Sequence, residues 1–403
     1  MGWFGRLTAL AAVAGTGLAV VSGAAGWGTA HRLLAAVALP PLAALVATAW
    51  VTARRLLVPS AIALVLFGAA AALVGRDVHL AFAAAALGAA AYAAALAFRA
   101  PITVAERQLL PRDNSYRRRT VIDYATLTKP RIMSLLLLTG GAGAFVGARG
   151  VPAWAAFAAT MLGLALACGG ASALNHYLDR DIDRLMGSRT ERRPVASGRL
   201  APARALEFGL ALSAASFVLL DALVNLPTAL LALAGNLFYV LVYTRWLKRT
   251  TPENIVIGGA AGAVPPLVGF AGATGHLGWA ALAMFAIVFV WTPPHFWALA
   301  LMIREHYARA GVPMLPVTRG DRTTARRIRG YTALLVAVTL APAAAGVFGL
   351  LYACAALLLG AVFAWYALEL QRSLSRKSSA RLFHYSLLYL ALLFVAMALD
   401  SAI

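Results

Sequence analysis

The chain has 403 residues, of which 62% are hydrophobic and only 12% are charged. A soluble protein carries about twice that charged fraction, so the composition excludes an ordinary soluble enzyme and favours a membrane protein built from spans of roughly 20 apolar residues. The formal net charge of +20 lies in short basic clusters between apolar segments, a pattern typical of membrane topology that argues against a continuous nucleic-acid-binding face.

The first hundred residues contain four apolar segments, which predict about four extra transmembrane helices at residues 7–27, 32–52, 57–74 and 78–98. The first segment lacks a clear small-residue cleavage site and is followed by further spans, so we interpret it as a retained helix. No cluster of acids, histidines or cysteines occurs in this part of the sequence. We therefore predict an N-terminal membrane segment of unknown role (1–100), a basic cytoplasmic linker (101–128) and a core (129–403).

The core sequence predicts an all-α integral membrane bundle of nine helices. Their predicted ranges are 131–149, 152–174, 203–223, 226–244, 253–272, 277–302, 330–348, 350–370 and 382–400. Every second loop is rich in arginine and lysine, whereas the intervening loops are short and nearly uncharged. Since basic loops stay inside, we predict a multi-pass protein of the inner cell membrane, with the N-terminus and basic loops cytoplasmic and the C-terminus outside.

The most informative polar stretch follows the second core segment. Asn175, Asp179 and Asp183 are spaced four residues apart, so on a continuous helix they would line one face. Two carboxylates and an amide oxygen are hard ligands that suit Mg²⁺, which commonly binds one or two carboxylates together with substrate phosphates. The alternative is that these acids pair with nearby arginines on a solvated helix end. Asp181 points to another face, where a salt bridge is the expected role.

A basic stretch comes next, containing Arg189, Arg192 and Arg193. Guanidinium groups match phosphate geometry, so these side chains could complete a diphosphate clamp opposite the metal. The competing interpretation is that they only set membrane topology, as basic loops do throughout this sequence.

Several motifs then carry a family resemblance. They are Thr128-Lys129-Pro130-Arg131, the Asn175–Asp183 motif, Arg192-Arg193-Pro194, the run from Tyr243 through Lys248-Arg249-Thr250-Thr251-Pro252 to Gly259, Pro293-Pro294-His295-Phe296-Trp297, and Pro313-Met314-Leu315-Pro316. On these motifs, residues 121–403 resemble the UbiA superfamily of intramembrane prenyltransferases, and within it the branch that farnesylates haem. That fold is a nine-helix bundle, which agrees with the helices predicted above.

The resemblance implies a reaction and its participants. Farnesyl diphosphate would donate its farnesyl group to the 2-vinyl group of haem B, and water would add to give haem O. Asn175, Asp179 and Asp183 would be the catalytic residues and would hold Mg²⁺. The residues implied in binding the substrates are Lys129, Arg131, Arg189, Arg192, Arg193, Tyr243, Lys248, Arg249, His295 and Glu305.

Three of these implied roles are open. The superfamily often has a second aspartate pair after its sixth helix, but here the loop offers only Glu305. Lys248 and Arg249 could supply positive charge to the diphosphate, or could serve topology alone. His295 lies in a proline-broken stretch, where it could contact haem or form a structural hydrogen bond.

Alternatives also remain for the function and for the N-terminal segment. The acceptor could instead be a quinone precursor or chlorophyllide, and the many proline-broken spans also occur in non-enzymatic transporters. The segment 1–100 could be a remnant of a haem-handling bundle similar to half of a haem A synthase, or a structural segment. The implied partners are farnesyl diphosphate, haem B and the lipid bilayer, with a haem A synthase as a candidate protein partner.

Overall fold

The computed structural model describes residues 114–403, and side chains from residue 120 onward except that of Arg189. The four helices predicted within residues 7–98 lie outside the described residues, as does the linker up to residue 113. In the described range every regular element is helical, as predicted.

Ten long helices follow one another along the described chain. They are α1 (Asn114–Leu127), α2 (Pro130–Ala148), α3 (Trp154–Leu178), α4 (Pro202–Leu223), α5 (Leu226–Thr250), α6 (Asn254–Thr274), α7 (Trp279–Met302), α8 (Leu315–Ala344), α9 (Leu350–Ser373) and α10 (Arg376–Asp400). Short helical turns at Arg180–Leu185, Gly187–Arg189 and Arg304–Arg309 join some of them.

Helices α2 to α10 confirm the predicted nine-helix core. Eight helices in residues 114–403 are long and apolar enough to cross a membrane, so the chain is an integral membrane protein. The ninth core helix, α8, is not counted among them because its first half is rich in arginine. Helix α1 occupies the described part of the predicted linker and is tied to the loop after α3 by the ion pair of Asp123 with Arg199, at 3.0 Å.

Two predicted helix starts were placed too late. Helix α8 begins at Leu315 and not at 330, with a local break at Gly320 (φ 75°). Helix α10 begins at Arg376 and not at 382, with the Ser375 side chain accepting a hydrogen bond from the Ser378 amide at its start. The two segments left out of the prediction, 315–329 and 376–381, carry charged or polar side chains, so hydropathy alone could not assign them to a helix.

Small residues let the central helices approach closely. A side chain on Gly269 of α6 would overlap the carbonyl oxygen of Gly140 on α2, and one on Gly143 would overlap the carbonyl of Pro266. Close backbone approach of this kind is how helices associate in membranes, where no hydrophobic force favours one apolar partner over another. Helix α6 therefore packs tightly on α2 and also contacts α5 and α7.

The helices run alternately up and down, so the polar connections gather at one end of the bundle. We call this the basic end, and it comprises the connections 179–201, 251–253, 303–314 and 374–375 together with Lys129. Prolines lie inside α6 at 265–266 and inside α7 at 293–294, at the depth of an apolar cavity between the helices.

Candidate active site

The predicted acid motif forms the centre of the site, although the helix that carries it is interrupted. Helix α3 ends at Leu178, and Asp179 adopts φ −88°, ψ 5° before the next helical turn. The Asp183 amide still donates to the Asp179 carbonyl at 2.8 Å, so the four-residue spacing is maintained across the break. The residues Asn175, Asp179 and Asp183 are only 3%, 0% and 1% exposed, so none of the three faces lipid.

The Asn175 amide connects three helices at the basic end. Its Nδ2 donates to Asp179 Oδ2 at 2.8 Å and to the Thr244 hydroxyl on α5 at 3.1 Å. Its Oδ1 accepts a hydrogen bond from Lys129 Nζ at 2.7 Å. Lys129 precedes α2 with φ 50°, a left-handed conformation that non-glycine residues rarely adopt and that surrounding contacts must hold in place.

Cationic side chains surround the two buried carboxylates. Lys248 Nζ donates to Asp179 Oδ2, and Arg193 Nη1 donates to both oxygens of Asp183, at 2.8 and 3.0 Å. Arg249 Nη2 lies 3.9 Å from Asp179 Oδ1, which is buried and has no hydrogen-bond partner. The basic residues nearest the motif therefore contact it directly, in addition to any effect on topology.

Asp181 forms a salt bridge, as its position on another face predicted. Both of its oxygens accept from Arg249, at 2.7 and 2.8 Å, and its side chain is 59% exposed. The hydrogen bond from Arg249 holds the pKa of the Asp181 carboxyl well below its usual range. Burial instead raises the pKa of the Asp183 carboxyl, and burial followed by the charge of Arg193 lowers the pKa of Lys129 to about 7.

A π-helical segment in α5, Phe238–Leu247, directs several side chains towards this centre. In a π-helix the backbone bonds link residues five apart, and such segments are frequent at functional sites. Tyr239 and Thr244 are five apart, as are Tyr243 and Lys248. The two tyrosines line the cavity described next and their ring centroids are 5.5 Å apart, while Thr244 and Lys248 contact the acid motif.

An apolar cavity of about 310 Å³ opens beneath the acid motif. Lys129 and Tyr243 line its upper part, and its walls come from α2, α3, α5, α6 and α7, with one residue of α10. The wall is almost entirely apolar, so the cavity fits a hydrocarbon chain whose charged head stays among the basic side chains above.

Three other predicted substrate-binding residues are exposed, and the side chain of a fourth is not described. Arg131 and Arg192 are exposed, and the side chain of Arg189 lies outside the described residues. Glu305 is 79% exposed and lies 4.0 Å from Arg309. Their roles towards a substrate stay predictions.

His295 does not line the cavity. Its ring stacks between Trp291 and Phe383, with centroids 4.3 and 4.8 Å away, and its Nδ1 is 2.6 Å from the Ser386 hydroxyl. This contact with Ser386 of α10 is the structural hydrogen bond that the sequence analysis gave as one possible role of His295. Its predicted role towards haem is not tested by this contact.

Two further residues of the site, Thr244 and Asn236, carried a usable sequence signal. Thr244 lies inside the Tyr243–Gly259 motif, and Asn236 is a polar side chain at membrane depth, which is usually functional. Asn236 donates to the Ala167 carbonyl and to Ser213, at 3.0 and 2.9 Å, and lines the cavity. Tyr239 carried no such signal, because nothing in the sequence indicated the π-helical segment in which it lies.

The donor set fits Mg²⁺ and does not fit a metal held by protein alone. Among the described side chains, no group of three or more His, Cys, Asp and Glu residues could hold a metal ion. Two carboxylates and one amide oxygen are instead what Mg²⁺ uses when substrate phosphates and waters complete its shell. Oδ1 of Asp179 is buried and accepts no hydrogen bond from the protein, so this oxygen is available to bind a metal ion.

Comparison with known proteins decides the family. A model described as the UbiA prenyltransferase family matches residues 136–395. The chain belongs to this family. The UbiA resemblance inferred from the sequence motifs is therefore confirmed.

Relatives within the UbiA family are similar over most of their length. A protein of Symbiobacterium thermophilum named protoheme IX farnesyltransferase is 53% identical over 291 residues, which cover 72% of this chain and 97% of that protein. One of Roseiflexus castenholzii with the same name is 43% identical, and the match covers 95% of this chain and 77% of the relative. That second match must extend into residues 1–100, so this segment has a counterpart there.

Solved structures show the same fold at low sequence identity. One, described as digeranylgeranylglyceryl phosphate synthase, has a TM-score of 0.59 at 17% identity and covers 70% of this chain and 99% of its own. A UbiA homolog from Archaeoglobus fulgidus, bound to GPP and Mg²⁺, has a TM-score of 0.51 at 19% identity and covers 68% and 99%. The described helices therefore form a UbiA-type bundle.

Proposed function

We propose that this protein transfers the farnesyl group of farnesyl diphosphate to the 2-vinyl group of haem B, with addition of water, to give haem O. The observation that carries the proposal is a buried Asn-Asp-Asp centre ringed by cations, directly above an apolar cavity. The names of the relatives support haem as the acceptor.

The charges at the basic end suit an allylic diphosphate. The charged groups of the acid motif and its direct partners are Asp179, Asp183, Lys129, Arg193 and Lys248. With Lys129 protonated, three cations and two carboxylates leave one net positive charge, and a divalent cation would raise this to three. A fully ionised allylic diphosphate carries three negative charges, so the loaded site would be neutral overall. Net neutrality matters because charge is costly where water is scarce.

The residues that would hold Mg²⁺ are Asn175, Asp179 and Asp183. When bound, the ion would supply Lewis-acid neutralisation of the departing diphosphate. Lys129 and Lys248 already lie within hydrogen-bonding distance of the motif oxygens, so their ammonium groups are placed to donate to phosphate oxygens. Arg193 holds the Asp183 carboxylate through both of its oxygens.

The cavity wall would protect the allylic carbon once its bond to oxygen stretches. Apolar side chains keep water from that carbon until the acceptor arrives, and water exclusion strengthens the charge interactions above it. Tyr239 and Tyr243 line the cavity and their rings lie close together, and the face of an aromatic ring can stabilise a nearby positive charge.

A comparison of two aspartates tests the proposal. Full-length protein in its membranes is given farnesyl diphosphate, Mg²⁺ and haem B, and the pigments are identified by mass. Wild type and Asp181→Asn should form haem O, because Asp181 is exposed and lies off the buried face. Asp179→Asn should lose at least about two orders of magnitude in rate, as charge-stabilising groups do when removed.

The same assay distinguishes the alternatives. A prenylated quinone precursor or chlorophyllide, with no haem O, would assign another acceptor. No release of diphosphate under any condition would overturn the prenyltransferase proposal. Equal activity of Asp179→Asn and wild type would remove the metal centre from the mechanism.

We also propose the remaining placement of the protein. The basic end faces the cytoplasm of an inner membrane, since its loops hold the arginine clusters, and the C-terminus lies outside. The divisions at 1–100, 101–128 and 129–403 and a haem A synthase as partner are part of this proposal. Labelling of single cysteines introduced at 198 and 346 by an impermeant reagent would test the orientation.

A further inference from the structure

The cavity beneath the acid motif ends at a common depth on five helices. The deepest lining residue of each of these helices is Thr139 on α2, Leu164 on α3, Ala232 on α5, Pro265 on α6 and Val288 on α7. We call these five residues the cavity floor.

The depth of the floor follows from helix geometry. Leu164 lies eleven residues before Asn175, and Thr139 ten residues after Lys129. At 1.5 Å per residue, the floor lies about 15–17 Å below the Asn175 and Lys129 backbone. The two helices give the same depth independently, although they run in opposite directions.

The floor is closed by tight packing around Leu164. The Leu164 side chain is 2% exposed and belongs to one buried cluster with Leu220 and Val268. It also meets the backbone of α2, since a Cβ on Gly140 would come within 2.5 Å of Leu164 Cδ2. A chain reaching this depth therefore meets a packed side chain with no room to move aside.

The depth can be compared with prenyl chains. With carbon–carbon bonds of about 1.5 Å, an extended chain advances about 1.25 Å per carbon. The main chain of a farnesyl group, twelve carbons, is then about 14 Å long, that of a geranylgeranyl group about 19 Å and that of a geranyl group about 9 Å. A farnesyl chain fits above the floor, a geranylgeranyl chain is longer than the cavity is deep, and a geranyl chain leaves about 6–8 Å at the bottom empty.

We infer that Leu164 sets the length of the prenyl group by forming the end of the cavity. This inference rests on the proposed function, because it concerns the donor of that same reaction. It makes Leu164 a specificity-determining residue far from the reacting atoms.

Two substitutions move the end of the cavity in opposite directions. Leu164→Ala removes the packed side chain and deepens the cavity. Cys168→Phe fills it higher up, because Cys168 lines the cavity and lies seven residues, or about 10 Å, below Asn175. The matched control is Leu220→Ala, which removes the same side chain from the same buried cluster but from outside the cavity lining.

The experiment is a competition. Each full-length variant receives haem B, Mg²⁺ and equal concentrations of geranyl, farnesyl and geranylgeranyl diphosphate, and the prenylated haems are separated by mass. A hydrophobic pocket discriminates one methylene by about 10- to 200-fold, so a five-carbon unit should give at least about tenfold. We expect the geranylgeranyl-to-farnesyl product ratio to rise at least tenfold in Leu164→Ala, and the geranyl-to-farnesyl ratio to rise at least tenfold in Cys168→Phe. Leu220→Ala should keep the wild-type ratios.

The outcomes separate this inference from the proposed function. Absence of every prenylated haem with wild type would overturn the proposed function. Haem O from wild type with unchanged ratios in both variants would overturn the inference and indicate that the chain leaves between helices into lipid. An altered ratio in Leu220→Ala equal to that in Leu164→Ala would also overturn it. If Leu164→Ala fails to fold, Leu164→Val replaces it with a smaller expected shift.

Discussion

Lys248 offers a quantitative test of how the basic end binds diphosphate. Its ammonium donates to Asp179 Oδ2, and both side chains are almost fully buried, at 11% and 0% exposure. Lys248→Met keeps an unbranched aliphatic side chain and removes the charge and its hydrogen bonds. A hydrogen bond to a charged group contributes about 1.5–3 kcal/mol, which corresponds to a loss in affinity of about 10- to 150-fold.

The assay is calorimetric titration of the purified full-length protein with a thio-linked farnesyl diphosphate analogue in the presence of Mg²⁺. The control is Arg245→Met, which removes one positive charge from the exposed side of the same helix. An exposed charge is screened by solvent, so the dissociation constant of this control should change by less than about threefold. Equal dissociation constants for Lys248→Met and wild type would refute a direct contact with diphosphate.

Three further predictions follow from the site and its packing. Thr244→Val removes the acceptor of the Asn175 amide and should weaken analogue binding about fivefold, the equivalent of about 1 kcal/mol; unchanged titration curves would show that this bond does not position Asn175. Gly269→Ala should lower the free energy of unfolding by about 1–3 kcal/mol in detergent, because the added Cβ would overlap the Gly140 carbonyl. The control Gly330→Ala adds a Cβ in open space and should not destabilise the protein. Equal denaturation midpoints for the two variants would contradict the close approach of the helices. Chelation of divalent cations should abolish haem prenylation and added Mg²⁺ should restore it, while full activity in excess chelator would contradict a metal-dependent reaction.

The bundle could be predicted from the sequence because long apolar segments alternate with basic loops. Helix α9, predicted at 350–370 and observed at Leu350–Ser373, shows how well this works when a span is uniformly apolar. Helix α8 shows the limit. Its first half contains Arg319, Arg322 and Arg326, so a hydropathy criterion assigns those helical turns to a loop.

The acid motif could also be predicted, but its partners could not. Spacing identified Asn175, Asp179 and Asp183, whereas the contact of Lys248 with Asp179 joins two helices and leaves no local signal in the sequence. The π-helical segment Phe238–Leu247, which brings residues five apart onto one face, was not visible in the sequence either. Membrane topology and diphosphate binding both favour basic residues at this end, so the sequence does not distinguish one role from the other. The structure does: Lys248 contacts the motif, whereas Arg192 is exposed.

The depth of the cavity was likewise beyond sequence reasoning. Four of the five floor residues are ordinary apolar or small side chains in their own helices, and Pro265, a proline inside a helix, gives no indication of depth. Their common depth becomes visible only when helices running in opposite directions are set side by side. The preferred length of the prenyl chain, unlike the class of reaction, therefore could not be predicted without the structure.

In the proposed reaction, a divalent ion and a diphosphate meet at the Asn-Asp-Asp centre. A crystallographic anomalous difference map, collected with Mn²⁺ in place of Mg²⁺ and with the thio-linked analogue bound, tests it most directly. We expect a peak about 2.1 Å from oxygens of Asp179 and Asp183, with the hydrocarbon extending down to Leu164. A peak elsewhere in the molecule, or an analogue bound with its phosphates away from Lys129 and Lys248, would contradict it.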